Sequence, residues 1–194
     1  WCKMAVTIDG TTGVSLVQDG VVTAADLASG AITGAALPEG SVLQVVETIK
    51  TDVFSTTSGV FTDITGLSVS ITPSSASSKI LVLAYAGSGS SSDGYSAAFR
   101  LLRDSTPIAI PDAAGSRLQA IFKIHCQSSG HTYFSSANFL DTPSTTSSVT
   151  YKLQMAKQNG STTLYVNRSG VDTDSSDAYH ARSISGITVM EIAG

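Results

Sequence analysis

The chain has 194 residues, of which 13% are charged, and its formal net charge is −4. Its 11 lysines and arginines are scattered singly, so no basic run is predicted to neutralise the phosphates of a nucleic acid. No apolar run approaches the roughly 18 residues that a membrane-spanning helix requires, so membrane insertion is not predicted, and the first ten residues lack the apolar region of a secretory signal.

A five-residue apolar repeat marks the first part of the chain. Its large side chains recur at Val22, Leu27, Ile32, Leu37 and Val42. A period of five matches neither the helical period of 3.6 nor the strand period of 2, so the segment is not predicted to build a core alone. Three copies wound together would bury these side chains on a shared axis. We therefore predict that residues 1–40 form an attachment segment and an extended, intertwined trimeric stalk.

Two other interpretations of this segment stay open. Its content of Gly, Ser and Ala is typical of a flexible linker, which needs no partner. A short helix over residues 24–28 would have Thr23 as its N-cap and Gly30 as its stop, and a stalk of successive short turns could contain it. The regular spacing of the apolar residues favours the stalk.

Alternating runs rich in β-branched residues follow Gly40. Residues 79–87 are apolar on both faces, as expected of a central strand or of one held between a core and a partner subunit. In residues 118–127 the side chains expected to face inward are Leu118, Ala120, Phe122, Ile124 and Cys126. A set of about ten strands is predicted, of which nine are placed, at 41–50, 59–71, 79–87, 95–104, 118–127, 132–140, 149–157, 162–167 and 183–192. We therefore predict an all-β fold, in which residues 41–194 form an antiparallel, jelly-roll-like β-sandwich head.

Several of these segments resemble a known family: SVLQVVETIKTD, FTDITGLSVSITPSSASSKILVLAYAG, AFRLLRDSTPI, SVTYKLQMA and SISGITVMEIAG. They are similar to the C-terminal head of tail-fibre-like structural proteins of marine and freshwater bacteriophages, cyanophages included. DGVVTAADLASGAITGAAL resembles the stalk before such heads. The resemblance implies a homotrimeric virion protein, made in the host cytoplasm, which joins other virion proteins through its N-terminus and contacts a glycan or protein of the host surface.

Two other functions share the predicted sandwich. One is a capsid decoration or head-fibre protein, which differs in where the N-terminus docks. The other is a lectin-like carbohydrate-binding module. Both stay open beside the fibre.

Catalysis is not predicted. His125 lies on the polar side of a strand, His131 in a turn and His180 in a long loop, and none belongs to a recognisable catalytic motif. The GxSxG pattern at 87–91 lacks the strand-to-helix setting that a nucleophile elbow needs. We therefore expect a non-enzymatic protein without a cofactor.

Metal binding and covalent modification are not predicted either. The sequence DTDSSD at 172–177 offers carboxylates but lacks the central Gly and closing Glu of an EF-hand loop, so we expect a solvated loop and no metal site. Cys2 and Cys126 are not expected to form a disulfide. Asn159 and Asn167 match the glycosylation sequon, a pattern short enough to arise by chance.

The loops of an antiparallel sandwich alternate between its two ends. If residues 41–50 run away from the stalk, the distal loops are 54–59, 88–94, 127–131 and 157–161. The proximal loops are then 72–78, 104–117, 141–147 and 168–182. The distal loops place five candidate receptor-binding or glycan-binding residues near one tip: Asp93, Tyr95, His131, Tyr133 and Asn159. Aromatic rings stack on sugar faces and the polar groups bond to hydroxyls. The alternative is that these are ordinary turn residues.

Overall fold

The computed structural model describes residues 37–158 and 160–194, and Glu39–Gly194 form one compact unit. Of the apolar repeat, Leu37 and Val42 fall among the described residues and both are exposed. Val22, Leu27 and Ile32 lie outside the described residues, as does Asn159. The trimeric stalk, and the division of the chain at residue 40, therefore stay predictions.

Strands dominate the described residues, in which the one helix is the single 3-10 turn Ala178–His180. No helix in this part of the chain is both long and apolar enough to cross a membrane. The strands are β1 (Val42–Lys50), β2 (Phe54–Thr56), β3 (Thr62–Ile71), β4 (Lys79–Ser90), β5 (Tyr95–Arg103), β6 (Thr106–Ile108), β7 (Phe122–Cys126), β8 (Tyr133–Asp141), β9 (Val149–Lys157), β10 (Leu164–Val166) and β11 (Ser185–Ile192).

The strands form two antiparallel sheets that pack as a sandwich. The first sheet has the order β1-β11-β4-β8, and the short β10 and β2 extend it beside the far end of β4. The second has the order β3-β9-β5-β7, with β6 beside the other half of β5. The eight longest strands alternate between the sheets except at β5 and β7, which follow one another in the second sheet, and this is the order of a jelly roll. The predicted fold class of the head is confirmed.

The core lies between the sheets and follows the period of two. Leu67, Val69 and Ile71 of β3 are buried as predicted. Ile64 is buried as well, although it lies three residues before Leu67, because a β-bulge with Gly66 at φ 80° shifts the register. Cys126 of β7 is fully buried, and burial raises the pKa of its thiol to about 11.

The prediction for residues 118–127 is wrong in its first half. The strand begins at Phe122, and Leu118 is exposed rather than inward-facing. The hairpin strand β6 explains the difference, because it pairs with Leu101–Arg103 and occupies the edge of β5 that a longer β7 would need. The short strands β2 and β6 were not predicted, since three residues are too few to show a period.

Candidate functional site

The chain enters the head at one end of the sandwich. The N–H of Gly40 donates to the Ala193 carbonyl at 2.8 Å, and the N–H of Ala193 donates to the Ser41 carbonyl at the same distance. We call this the proximal end and the opposite one the distal end. Three of the predicted proximal loops, 72–78, 104–117 and 141–147, start or finish there.

All four predicted distal loops meet at the distal end. The N–H of Gly94 donates to the Cys126 carbonyl at 2.9 Å, which joins the 91–94 turn to the loop after β7. The N–H of Lys157 donates to the Ser58 carbonyl at 2.9 Å, so the turn after β9 lies beside the one after β2. The alternation of loops is confirmed for these four.

Two candidate residues hold the loop between β7 and β8 in place. Asp93 Oδ1 accepts the Ser129 N–H at 2.6 Å, and this bond lowers the pKa of the Asp93 carboxyl. Tyr133 Oη accepts the Ser128 N–H at 2.9 Å. Much of the polar capacity of Asp93 and Tyr133 is therefore used to position His131, which is exposed.

Tyr95 lies elsewhere on the distal end. Its ring packs on the backbone of Gly160, where an added Cβ would come within 2.8 Å of the ring. Tyr95 is half-buried and supports the turn after β9.

An aromatic cluster occupies the loop between β7 and β8, and two of its members were not predicted. The ring of His131 lies 6.1 Å from that of Tyr133 and 5.9 Å from that of Tyr179, and Tyr179 lies 4.2 Å from His180. Tyr179 is 49% exposed. We call His131, Tyr133, Tyr179 and His180 the tip cluster.

The prediction that segment 168–182 is proximal is wrong. The N–H of Val171 donates to the Ser129 carbonyl at 3.0 Å, and His180 Nδ1 lies 3.1 Å from the Val171 carbonyl oxygen. The physical reason is that β10 and β11 both run antiparallel to β4 and pair with successive parts of it, as one interrupted strand. The segment between them leaves the middle of the sheet and reaches the distal loops.

Two glycines allow this segment to pack closely. A Cβ at Gly170 would lie 1.8 Å from the Ser90 carbonyl oxygen, and one at Gly89 would lie 2.3 Å from the Arg168 carbonyl oxygen. A larger residue at either position would displace backbone. Residues 168–170 are thereby fixed against the end of β4.

A polar cleft of about 380 Å³ opens beside the turn after β9, which Tyr95 supports. It is lined by Thr57, Ser91, Lys157, Gly160, Ser161, Thr162 and Thr163. Ser91 Oγ lies 3.0 Å from Thr162 Oγ1 and accepts the Thr163 N–H at 2.9 Å. Hydroxyls and one ammonium group suit a polyhydroxylated ligand. Sequence reasoning missed this cleft because Ser and Thr are abundant throughout the chain.

Asp172, the first residue of the acidic sequence at 172–177, is paired with two arginines. Asp172 Oδ2 lies 3.1 Å from Arg168 Nη1 and 2.5 Å from Arg182 Nη2, beside a cleft of about 430 Å³. Within the described residues, no group of three or more His, Cys, Asp or Glu side chains is placed to hold a metal ion.

The histidines have structural surroundings. His125 Nδ1 lies 3.0 Å from Ser96 Oγ, and these residues are cross-strand partners on the exposed side of β5 and β7. His131 and His180 belong to the tip cluster. A catalytic triad also needs a carboxylate that orients the histidine. Among the described residues, no carboxylate is hydrogen-bonded to His125.

Comparisons with known proteins find distant structural neighbours. No protein-family model matches, and no curated protein matches. Among solved structures, the chain is similar to one titled as the structure of infectious bursal disease virus Gt strain, at 16% identity over 77% of this chain and a TM-score of 0.38. It is also similar to the VP2 subviral particle of infectious bursal disease virus, at 14% identity, 77% coverage and a TM-score of 0.35. The match spans about two fifths of the length of each of those chains.

Proposed function

We propose that the chain is a non-enzymatic structural protein of a phage virion, a homotrimeric fibre that contacts the host surface with its head. The observation that carries the proposal is the tip cluster, a group of aromatic rings with Tyr179 and His131 exposed, at the end of the head farthest from where the chain enters. An attachment protein needs such a ligand-ready surface at its free end. Its N-terminal segment would join other virion proteins, and the protein would be made in the host cytoplasm.

The chemistry of the distal end favours a carbohydrate as the ligand. Exposed rings of Tyr179 and His131 can stack on sugar faces, and the hydroxyl-lined cleft, elsewhere on the distal end, can bond to sugar hydroxyls. The same chemistry would serve a lectin-like module. A fibre and a lectin would therefore share this site and differ in whether the chain belongs to a particle. A capsid decoration or head-fibre protein differs in the structure to which the N-terminus is attached.

Binding to cells tests the proposed contact. Fluorescently labelled full chain is measured against a panel of bacterial cells and an array of bacterial surface glycans. We expect the double variant Tyr179→Ser/His131→Ser to bind its target about 10–100-fold more weakly, because exposed aromatic residues at the centre of a contact contribute most of the affinity. The matched control is His125→Ser, an exposed histidine on the outer side of β7 that does not belong to the tip cluster, which should bind as the wild type does. Unchanged binding by the double variant would contradict the proposal.

The stalk is tested separately by charge. Burial of a large apolar side chain contributes roughly 1.5–3 kcal/mol, and an aspartate at the shared axis would also be repelled by its copies. We expect Leu27→Asp/Ile32→Asp to yield folded heads that are no longer locked as trimers in light scattering. A stable trimer in this variant would count against assembly through the stalk.

A further inference from the structure

The outer faces of the two sheets differ in chemistry. On the β3-β9-β5 sheet, Lys152 Nζ donates to Asp63 Oδ2 at 2.7 Å and Gln154 Nε2 donates to Asp63 Oδ1 at 2.6 Å. Arg100 Nη2 continues this line by donating to Gln154 Oε1 at 2.7 Å. Such a face is compatible with water.

The outer face of the β1-β11-β4-β8 sheet is apolar. We call it the apolar face and define it by Val45, Leu81, Leu83, Phe134, Leu140 and Met190. Strand register aligns four of them in one row across the sheet, since Val45 pairs with Met190, Met190 with Leu81, and Leu81 with Leu140. Side chains of paired residues lie on the same face, so the row is continuous.

Aromatic rings extend this face over glycines. The Phe134 ring lies on Gly87 and the Tyr85 ring lies on Gly186, so closely that a Cβ would meet either ring within 2.8 Å. Phe134 is 58% exposed, Val45 56% and Leu140 50%. A strand that is apolar on both sides, as β4 is, therefore buries one side in the core and leaves the other facing outward.

The exposed area of the apolar face is as large as the largest apolar patch of a typical protein surface, a kind of patch that is often functional. The five most exposed side chains, which include Val42 and Ile49, leave on the order of 400 Å² in water, within the range of about 300–600 Å² found for the largest patch on a monomer. The partly exposed Leu81, Leu83 and Met190 lie between them.

We propose that the apolar face is the surface on which the head of a second copy of this chain packs, around the threefold axis of the trimer. This inference rests on the homotrimer of the proposed function. Two observations point to a copy of the chain as the occupant. The charged residues of the face are one acid, Glu47, and one base, Lys79. The acid of one copy can therefore pair with the base of the next copy.

The second observation is continuity with the apolar repeat. Val42, its fifth member, pairs with Ile192, which places it on the apolar face at the start of β1. The repeat is predicted to face the other copies, and its last member lies on this surface. The same neighbours would therefore cover both.

Sedimentation of the full chain over a range of concentrations tests the inference. We expect the wild type to be a trimer and Val45→Lys/Leu140→Lys to dissociate at a roughly 100-fold higher concentration than the wild type. The control is Val60→Lys/Leu118→Lys, which adds the same charge at an exposed valine and an exposed leucine outside the face and should dissociate as the wild type does. If the lysine variant does not fold, Val45→Thr/Leu140→Thr should still raise the dissociation concentration about 10-fold.

Two results would overturn the inference. One is equal dissociation of the face variants and the control. The other is a monomeric wild type, whether its face is bare, covered by residues 1–36 of the same chain, or covered by another protein. Binding of the same samples to cells separates this failure from that of the proposed function. If the face variants dissociate as the wild type does and still bind cells through the tip cluster, the inference about the face fails and the proposed function does not.

Discussion

Asn167→Ala is expected to lower the free energy of unfolding of the head by about 3–5 kcal/mol, the largest effect of a single substitution that we anticipate. Asn167 is 1% exposed, and its Nδ2 donates to the carbonyls of Lys50 and Asp52 at 2.8 and 2.9 Å. Its Oδ1 accepts the Ser185 hydroxyl at 2.6 Å. Alanine would leave the buried Lys50 carbonyl and Ser185 hydroxyl without this partner. Urea denaturation followed by circular dichroism measures the loss.

A glycine variant separates the backbone contribution from the hydrogen bonds. Asn167 has φ 68°, where a side chain with a Cβ costs about 1–2 kcal/mol and Asn is among the best tolerated residues. Asn167→Gly should therefore be about 1 kcal/mol more stable than Asn167→Ala. Equal stabilities would show that the left-handed backbone is not a source of the loss.

The burial of Asn167 also decides the meaning of its sequon. A side chain whose amide nitrogen donates to two carbonyls inside the head is inaccessible to a glycosyl group. The match at 167–169 is therefore a structural asparagine that happens to precede Arg168-Ser169.

Asp141→Ala is expected to cost about 2–4 kcal/mol, the second largest effect. Asp141 ends β8 and joins the two sheets at the proximal end. Its carboxylate accepts the Arg103 guanidinium at 2.9 Å and the Tyr151 hydroxyl at 2.7 Å. Without it, a fully buried hydroxyl and a largely buried cation lose their partner. The same denaturation experiment measures the change.

An exposed ion pair supplies the control for Asp141. Asp63 pairs with Lys152 at 2.7 Å on the polar outer face, where water screens the interaction. Asp63→Ala should cost no more than about 1 kcal/mol. If the two alanine variants were equally stable, the contact between the sheets at Asp141 would not matter for the fold.

The contacts of Asp141 with Arg103 and Tyr151 make the stability of the head depend on pH in the alkaline range. Burial, and then the hydrogen bond to Asp141, raise the pKa of Tyr151 above its usual value. Because the pKa of Tyr151 is higher in the folded chain than in the unfolded one, its contribution to the free energy of unfolding is complete below about pH 10 and is lost as the pH rises further. Tyr151→Phe should therefore lose less stability than the wild type between pH 9 and about 11.

Much of the fold follows from the sequence because each long strand repeats its pattern over several residues. Leu67, Val69 and Ile71 are spaced by two residues, so a strand puts their three side chains on one face, and that face packs on the core. The distal loops followed from the alternation of antiparallel strands. That rule failed after β10, because β10 and β11 follow one another and both run antiparallel to β4. Counting strands along the sequence cannot detect such an interruption.

The candidate site was less predictable for the same reason. His131 and Tyr133 were identified from a loop that the strand count placed correctly. Tyr179 and His180 come from the segment that the count misplaced, and nothing local in DTDSSDAYH marks a contact with residues fifty positions away. The hydroxyl-lined cleft depends on which of many serines and threonines converge, and only tertiary packing determines that.

Electron cryo-microscopy of the intact particle that carries this protein would test most directly that the head is the free, host-facing end of a trimeric fibre. We expect density for three jelly-roll heads with their apolar faces against one another and Tyr179 pointing away from the particle. Single heads lying flat on a shell, with the distal loops buried against it, would contradict the proposal.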